Sequence, residues 1–178
     1  MRLLAISGSL RRASLSTELL RAAAILAPDS IQIVQFDGLA ALPHFNPDLD
    51  ADPPLPPVRA LRESIAGSDG LLISSPEYAH GVPGVLKNAL DWLVSGIEIV
   101  GKPVGLLNPL PRSVHAQASL VETLRTMSAD VVPTAQVSVP LLGRGLDAAA
   151  ISADPELAAA IRAALTALAE AIRHQLQR

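Results

Sequence analysis

Short apolar runs alternate with longer segments of helical periodicity along the chain. Glycine, proline or polar residues bound each run, which predicts buried β-strands at residues 2–7, 31–36, 70–75, 103–108 and 131–139. Leucines and alanines spaced by three or four positions predict helices at residues 15–26, 56–66, 84–94, 114–127 and 154–176. Asp154 followed by Pro155 is typical of a helix N-terminus, so the last helix has a clear start.

This alternation of strands and helices predicts an α/β fold. Strands that are apolar throughout are typical of a parallel sheet with helices on both faces. Five strand–helix units are too few to close an eight-stranded barrel, so we expect a doubly wound sheet in the order 2-1-3-4-5 with right-handed crossovers. We expect a single domain over residues 1–178, in which residues 37–57, with six prolines, and residues 140–153 are loops.

Composition narrows the classes of function. The chain has no cysteine, 14 Lys+Arg against 17 Asp+Glu and a formal net charge of −3. The lack of cysteine excludes disulfides and zinc–thiolate centres, and the four histidines lie too far apart for a local zinc motif. Because there is no basic surplus and aromatic residues make up 2%, we expect no binding of nucleic acid. No apolar run is long enough to span a bilayer and no signal-peptide pattern is visible, so we expect no membrane contact and a cytoplasmic location.

The segment after the first strand, GSLRRASLST at residues 8–17, is rich in hydroxyl groups. In a doubly wound sheet, ligands bind beyond the carboxyl ends of the strands, where the strand order reverses between strands 1 and 3. An anion site is typical of a segment that combines a glycine turn, several hydroxyls, an arginine (here Arg11) and a helix N-terminus. The alternative is an ordinary helix start capped by Ser14 or Ser16, but a cap requires one hydroxyl and this segment has four.

The segment after the third strand, SPEYAHGVPG at residues 75–84, contains two prolines and two glycines. This composition predicts a stiff loop with exposed backbone N–H and C=O groups, which suits a flat heterocycle bound through its edge. The alternative is a plain connection between a strand and a helix. We interpret Lys87 and Asp91, four residues apart, as a solvated ion pair on the next helix.

Together, GSLRRAS at residues 8–14 and SPEYAHGVPGVLKNALDW at residues 75–92 resemble the motifs of the NADPH-dependent FMN reductase family. The resemblance covers most of the chain and weakens after Val139. It implies a flavodoxin-like fold, FMN as cofactor and NADPH or NADH as co-substrate. It also implies that the FMN phosphate is held by Ser9, Arg11, Ser16 and Thr17, and that the isoalloxazine is wrapped by Pro76, Glu77, Tyr78, His80 and Gly81.

The chain departs from the family pattern at three places. Ala79 and Ser16 stand where the family often has asparagine. The segment after the fourth strand is commonly rich in glycine in the family, whereas here it is NPLPRSVHAQ at residues 108–117. In this segment Asn108 and Arg112 are candidates for flavin contacts, and the alternative for Arg112 is a solvated side chain.

The resemblance implies an oxidoreductase that passes electrons through FMN to a small acceptor, such as a quinone, an azo compound, free flavin or a metal oxyanion. If one face of the flavin is open, the two substrates use it in turn, which predicts a ping-pong mechanism. Because the flavin carries the chemistry, we assign no side chain as catalytic and no metal. One alternative is a flavin-binding electron carrier without NAD(P)H turnover; another is a phosphate-binding hydrolase or transferase on the same fold.

The resemblance also points to a homodimer or a dimer of dimers. The helix at residues 84–94 is apolar along one side, and that side must cover the sheet. We therefore expect Trp92 and part of the neighbouring loop to be available to a partner copy. The alternative is that Trp92 belongs to the core.

Overall fold

A computed structural model describes residues 1–141 and 143–177 of the chain. Five parallel strands form one sheet in the order β2-β1-β3-β4-β5, as the alternating pattern predicted. The elements in chain order are β1 (Arg2–Ser7), α1 (Leu15–Leu26), β2 (Gln32–Gln35), α2 (Pro56–Ala66), β3 (Gly70–Ser74), α3 (Gly84–Asp91), β4 (Pro103–Asn108), α4 (Val114–Thr126), β5 (Asp130–Ser138), α5 (Ala148–Ala153) and α6 (Pro155–Leu176). This is the flavodoxin-like arrangement.

Helices cover both faces of the sheet, because side chains of successive strand residues point to opposite faces. Along β1, Leu3 and Ala5 pack into a core beneath α1, α5 and α6. Leu4 and Ile6 pack into a second core beneath α2, α3 and α4. Strands that contribute to two cores must be apolar at every position, which explains their continuous hydrophobic runs.

The boundaries of most elements match the sequence expectations. Strands β1 and β4 and helices α1 and α2 have the expected bounds, while β2, β3, β5, α4 and α6 differ by one residue at one or both ends. Helix α3 ends at Asp91, three residues earlier than expected. At the start of α6, Asp154 accepts hydrogen bonds from the backbone N–H groups of Glu156 and Leu157. The bond from Leu157 and the ion pair with Arg144 hold the pKa of the Asp154 carboxyl below its ordinary value.

Both expected loops contain helical turns: residues 37–57 include short 3-10 helices at Gly38–Ala41 and Pro47–Leu49, and the other expected loop contains an α-helix. Residues 140–153 were expected to be irregular, yet α5 occupies Ala148–Ala153. Asp147 caps it by accepting a hydrogen bond from the N–H of Ala150 at 2.8 Å. The Glu18 carboxylate in α1 accepts another from the N–H of Ala148 at 2.9 Å. A contact with a residue 130 positions away fixes this short helix, and no local pattern reveals such a contact.

The proline-rich segment between β2 and α2, residues 36–55, is called the excursion below, and hydrogen bonds connect it to α3 and to Trp92. Asn88 donates to the carbonyl of Pro43 at 2.9 Å and accepts from the N–H of Phe45 at 2.7 Å. The indole N–H of Trp92 donates to the same carbonyl at 2.8 Å. The Trp92 side chain is fully buried and meets the ring of Phe45 edge-on at 5.1 Å. The expectation that Trp92 is available to a partner is therefore wrong, because its indole closes the core beneath the excursion.

No helix in the described part of the chain is long and apolar enough to cross a bilayer.

Candidate functional site

Three loops lie at the carboxyl edge of the sheet because β1, β3 and β4 are neighbours in the strand order. The first loop joins β1 to α1 over residues 8–14, and the second joins β3 to α3 over residues 75–83. The third loop joins β4 to α4 over residues 109–113. Eleven residues were predicted as a cofactor site, and all of them lie on these loops or at the ends of the elements that they join.

The N-terminus of α1 carries more hydroxyl groups than its capping requires. Ser14 is the N-cap residue, and its Oγ accepts a hydrogen bond from the N–H of Thr17 at 3.4 Å. The Thr17 hydroxyl pairs with that of Ser7 at 2.9 Å. The Oγ atoms of Ser16 and Ser74 are buried without a hydrogen-bond partner among the described residues. A buried unpaired hydroxyl costs about 1–3 kcal/mol, so an external acceptor near Ser16 would stabilise this arrangement.

A recess of about 210 Å³ lies at the carboxyl ends of β1 and β2. Three of the predicted phosphate ligands, Ser9, Arg11 and Thr17, line it together. Ser16 is not part of this lining, but it precedes Thr17 in the first turn of α1. Arg12 and Arg21 also line the recess, although sequence reasoning did not assign Arg21. Arginine side chains and a helix N-terminus make the recess suited to a phosphate.

Gly8 lets the first and second loops pack closely. Its N–H donates to the carbonyl of Ser74 at 2.8 Å. A Cβ atom at this position would lie 2.5 Å from the Oγ of Ser75 and 3.2 Å from a methyl carbon of Leu86. No side chain fits between the two loops, so glycine at this position allows them to pack against each other.

The second loop contains a tight reverse turn. Tyr78 and Gly81 exchange backbone hydrogen bonds of 3.1 and 3.0 Å. Between them, Ala79 and His80 adopt positive φ angles of 49° and 59°. Residues other than glycine pay about 1–2 kcal/mol each for this left-handed conformation. The turn is therefore closed by two backbone hydrogen bonds and carries backbone strain at two positions.

Two contacts tie the second loop to the start of α4. The Glu77 carboxylate accepts a hydrogen bond from the N–H of Ala116 at 2.8 Å. The imidazole rings of His80 and His115 stack with centroids 4.2 Å apart and planes 20° from parallel. The Glu77 side chain is thus engaged with the positive end of α4. The backbone groups of Tyr78 and Gly81 are paired with each other in the turn, so other backbone groups of the second loop remain for the edge of a ring.

The third loop is organised by the last residue of β4. Asn108 is buried, and its side-chain oxygen accepts a hydrogen bond from the N–H of Leu110 at 3.0 Å. Arg112 is exposed and makes no side-chain hydrogen bond with any described residue. Asn108 therefore shapes the loop, and the exposed Arg112 side chain is compatible with a flavin contact and with a solvated position alike.

These features fit a phosphorylated flavin. The first loop offers an arginine-lined recess beside an unpaired hydroxyl, which suits a phosphate group. The second loop offers a tight turn that two backbone hydrogen bonds close, next to the first loop. Sequence reasoning missed His115 because 35 residues separate it from His80. The signal that could have found it is topological, since loops that follow neighbouring parallel strands meet at one edge.

Comparisons with known proteins agree with this geometry. The model of the NADPH-dependent FMN reductase family matches residues 1–142. A 2-hydroxy-1,4-benzoquinone reductase from a Burkholderia species is 45% identical over 92 residues, which cover 52% of this chain and 49% of that protein. A probable NADPH:quinone oxidoreductase 2 of Oryza sativa is 44% identical over 95 residues, covering 52% and 47%. The chain spans about half the length of these curated relatives.

Among solved structures, the flavoenzyme NAD(P)H:(acceptor) oxidoreductase FerB from Paracoccus denitrificans superimposes on this chain with a TM-score of 0.79. The match covers 97% of both chains at 27% sequence identity. It extends the likeness through α5 and α6, beyond the residues that the family model matches.

Proposed function

The chain belongs to the NADPH-dependent FMN reductase family, and from this membership we propose that it transfers electrons from NAD(P)H through bound FMN to a small acceptor. FMN is the cofactor and NADPH the co-substrate that the family implies. The observation that carries the proposal is the recess at the N-terminus of α1, which Ser9, Arg11 and Thr17 line together with two further arginines. The printed names of the relatives make quinones the acceptor class to test first.

The first and second loops have separate roles in this proposal. Ser9, Arg11, Ser16 and Thr17 hold the phosphate through hydroxyls and a guanidinium at the start of α1. The backbone of residues 76–81 binds the ring edge, while Glu77 and His80 fix this loop against α4. The chemistry that FMN supplies when bound is acceptance of a hydride and transfer of electrons to the acceptor. No side chain is required as an acid or a base, and we assign none.

Steady-state kinetics test the order of the two half-reactions. If one face of the ring is open, NADPH and a quinone must occupy it in turn. Double-reciprocal plots with both substrates varied should then give parallel lines, as alternating half-reactions do. Intersecting lines would show that both substrates bind together and would contradict a shared face.

We also propose that the protein assembles as a homodimer or a dimer of dimers, which follows from the family and does not involve Trp92. Exposed apolar side chains are present at Leu10, Tyr78 and Val114, close to the candidate site. Light scattering at micromolar concentration should give a mass of two or four chains. A mass of one chain would contradict this part of the proposal.

A further inference from the structure

The first turn of α4 holds the second loop at two points. Glu77 precedes the strained turn of that loop and accepts the hydrogen bond from the N–H of Ala116 at 2.8 Å. His80 lies within the turn and stacks on His115, with ring centroids 4.2 Å apart. The two partners in α4 are consecutive residues of one helix, so both contacts fix the loop against the same element.

The turn needs support from outside itself. Ala79 and His80 both have left-handed backbones, in which the Cβ atom crowds the following carbonyl oxygen. Tyr78, Ala79 and His80 are all exposed, so burial in the core does not hold the turn. Its own closure consists of the two backbone hydrogen bonds between Tyr78 and Gly81. A strained backbone persists only where surrounding contacts determine its shape, and the contacts with α4 supply this.

His115 presents its ring from a rigid element. Leu120 and Leu124 of the same helix are buried in the core beneath α4, which fixes the position of the helix. His80, in contrast, lies on an exposed loop. The two imidazole planes are 20° from parallel, so the rings meet face to face. A side chain on a packed helix can therefore determine the position of a loop that does not pack against the core.

We propose that His115 is a positioning residue for the flavin ring, because its stack on His80 keeps the turn at residues 78–81 in the shape that the ring edge requires. The proposal rests on the proposed function, since it takes a flavin as the ligand. It makes the start of α4 a determinant of flavin affinity in a chain whose third loop lacks the glycine-rich pattern of the family.

Three variants separate the stack from other effects of the side chain. His115→Ala removes the ring that contacts His80. His115→Phe keeps an aromatic ring at the same position and removes the imidazole nitrogens. His174→Ala is the matched control, because His174 is an exposed histidine in the last turn of α6.

The first readout is the affinity for FMN and for riboflavin, measured by fluorescence titration. His115→Ala should weaken the binding of both flavins by about threefold to tenfold, the range that one aromatic pair contributes. The two losses should be equal because the flavins share the ring and differ in the phosphate. His115→Phe should restore both affinities to within about twofold of wild type, since the stack is kept. His174→Ala should leave both unchanged.

The second readout requires no flavin. The amide hydrogens of Tyr78 and Gly81 close the turn, so their exchange with solvent, followed by NMR of the flavin-free protein, reports how often the turn opens. Both should exchange about threefold to tenfold faster in His115→Ala than in wild type, and His115→Phe should restore the slower rates. The amide of Leu72, in the buried strand β3, should be unchanged in all variants, which shows that they are folded.

Three results would overturn the proposal. Unchanged flavin affinities in His115→Ala would show that the stack does not position the ring. Equal losses in His115→Ala and His115→Phe would assign the effect to an imidazole nitrogen, and a loss for FMN alone would assign it to the phosphate. Failure of the wild-type protein to bind either flavin would count against the proposed function. The exchange rates of Tyr78 and Gly81 would then still show whether His115 holds the turn.

Discussion

The start of α1 has more hydroxyl-bearing residues than are needed to cap the helix. Ser14 caps the helix, so Ser16 is not needed for that role. The Ser16 hydroxyl is nevertheless buried without a hydrogen-bond partner among residues 1–141 and 143–177, as is the hydroxyl of Ser74. Unpaired buried groups that persist call for an explanation, and a bound phosphate oxygen provides one.

Arg11 should discriminate between flavins with and without a phosphate. The variant Arg11→Ala should bind FMN about tenfold to a hundredfold more weakly, because a hydrogen bond to a charged group contributes about 1.5–3 kcal/mol. Affinity for riboflavin should hardly change, since riboflavin has no phosphate. Fluorescence titration of both flavins measures the difference. Arg59→Ala, an exposed arginine in α2, is the control. Equal losses for FMN and riboflavin would show that Arg11 does not contact the phosphate.

At the scale of elements, the turn at Tyr78–Gly81 is closed by two backbone hydrogen bonds and has a strained backbone. Ala79 and His80 have positive φ angles without the glycine or asparagine that usually occupies such positions. Contacts of Glu77 and His80 with the start of α4 hold the turn in place. Strain that persists at such a turn is consistent with a loop that must keep one shape for a ligand.

The variant Ala79→Gly should stabilise the protein. Glycine removes about 1–2 kcal/mol of left-handed strain, while its greater freedom in the unfolded chain costs about 0.4–1 kcal/mol. The free energy of unfolding should rise by about 0.5–1 kcal/mol, as measured by urea denaturation. Ala24→Gly, at an exposed position within α1, should lower it by about 1 kcal/mol. A similar loss in both variants would show that Ala79 is not strained.

Element positions were largely predictable from the sequence because local signals mark them. Gly8 ends β1, and Pro103 and Pro109 bound β4, so both strands have the expected limits. Two features were not predictable. Helix α5 depends on the distant Glu18, and the burial of Trp92 depends on its bond to Pro43 in the excursion. Both are set by tertiary contacts that leave no periodic pattern.

At the scale of the whole molecule, the strand order brings the candidate site together. Residues 9 and 77 lie on the loops that follow β1 and β3, and residue 115 lies at the start of the helix that follows β4; these three strands are adjacent. The two motifs of the chain predicted the first two loops of the site. The third loop departs from the family pattern, and the contacts of the second loop with Ala116 and His115 in α4 became visible only in three dimensions.

The proposed function requires that this chain holds FMN and that NADPH reduces it. Both can be measured by anaerobic titration of the FMN-loaded protein with NADPH, followed by visible absorption. About one equivalent of NADPH should bleach the flavin, and addition of a quinone should restore the oxidised spectrum. Flavin that binds but is not bleached by NADPH would indicate an electron carrier. A protein that binds no FMN would contradict the proposed function.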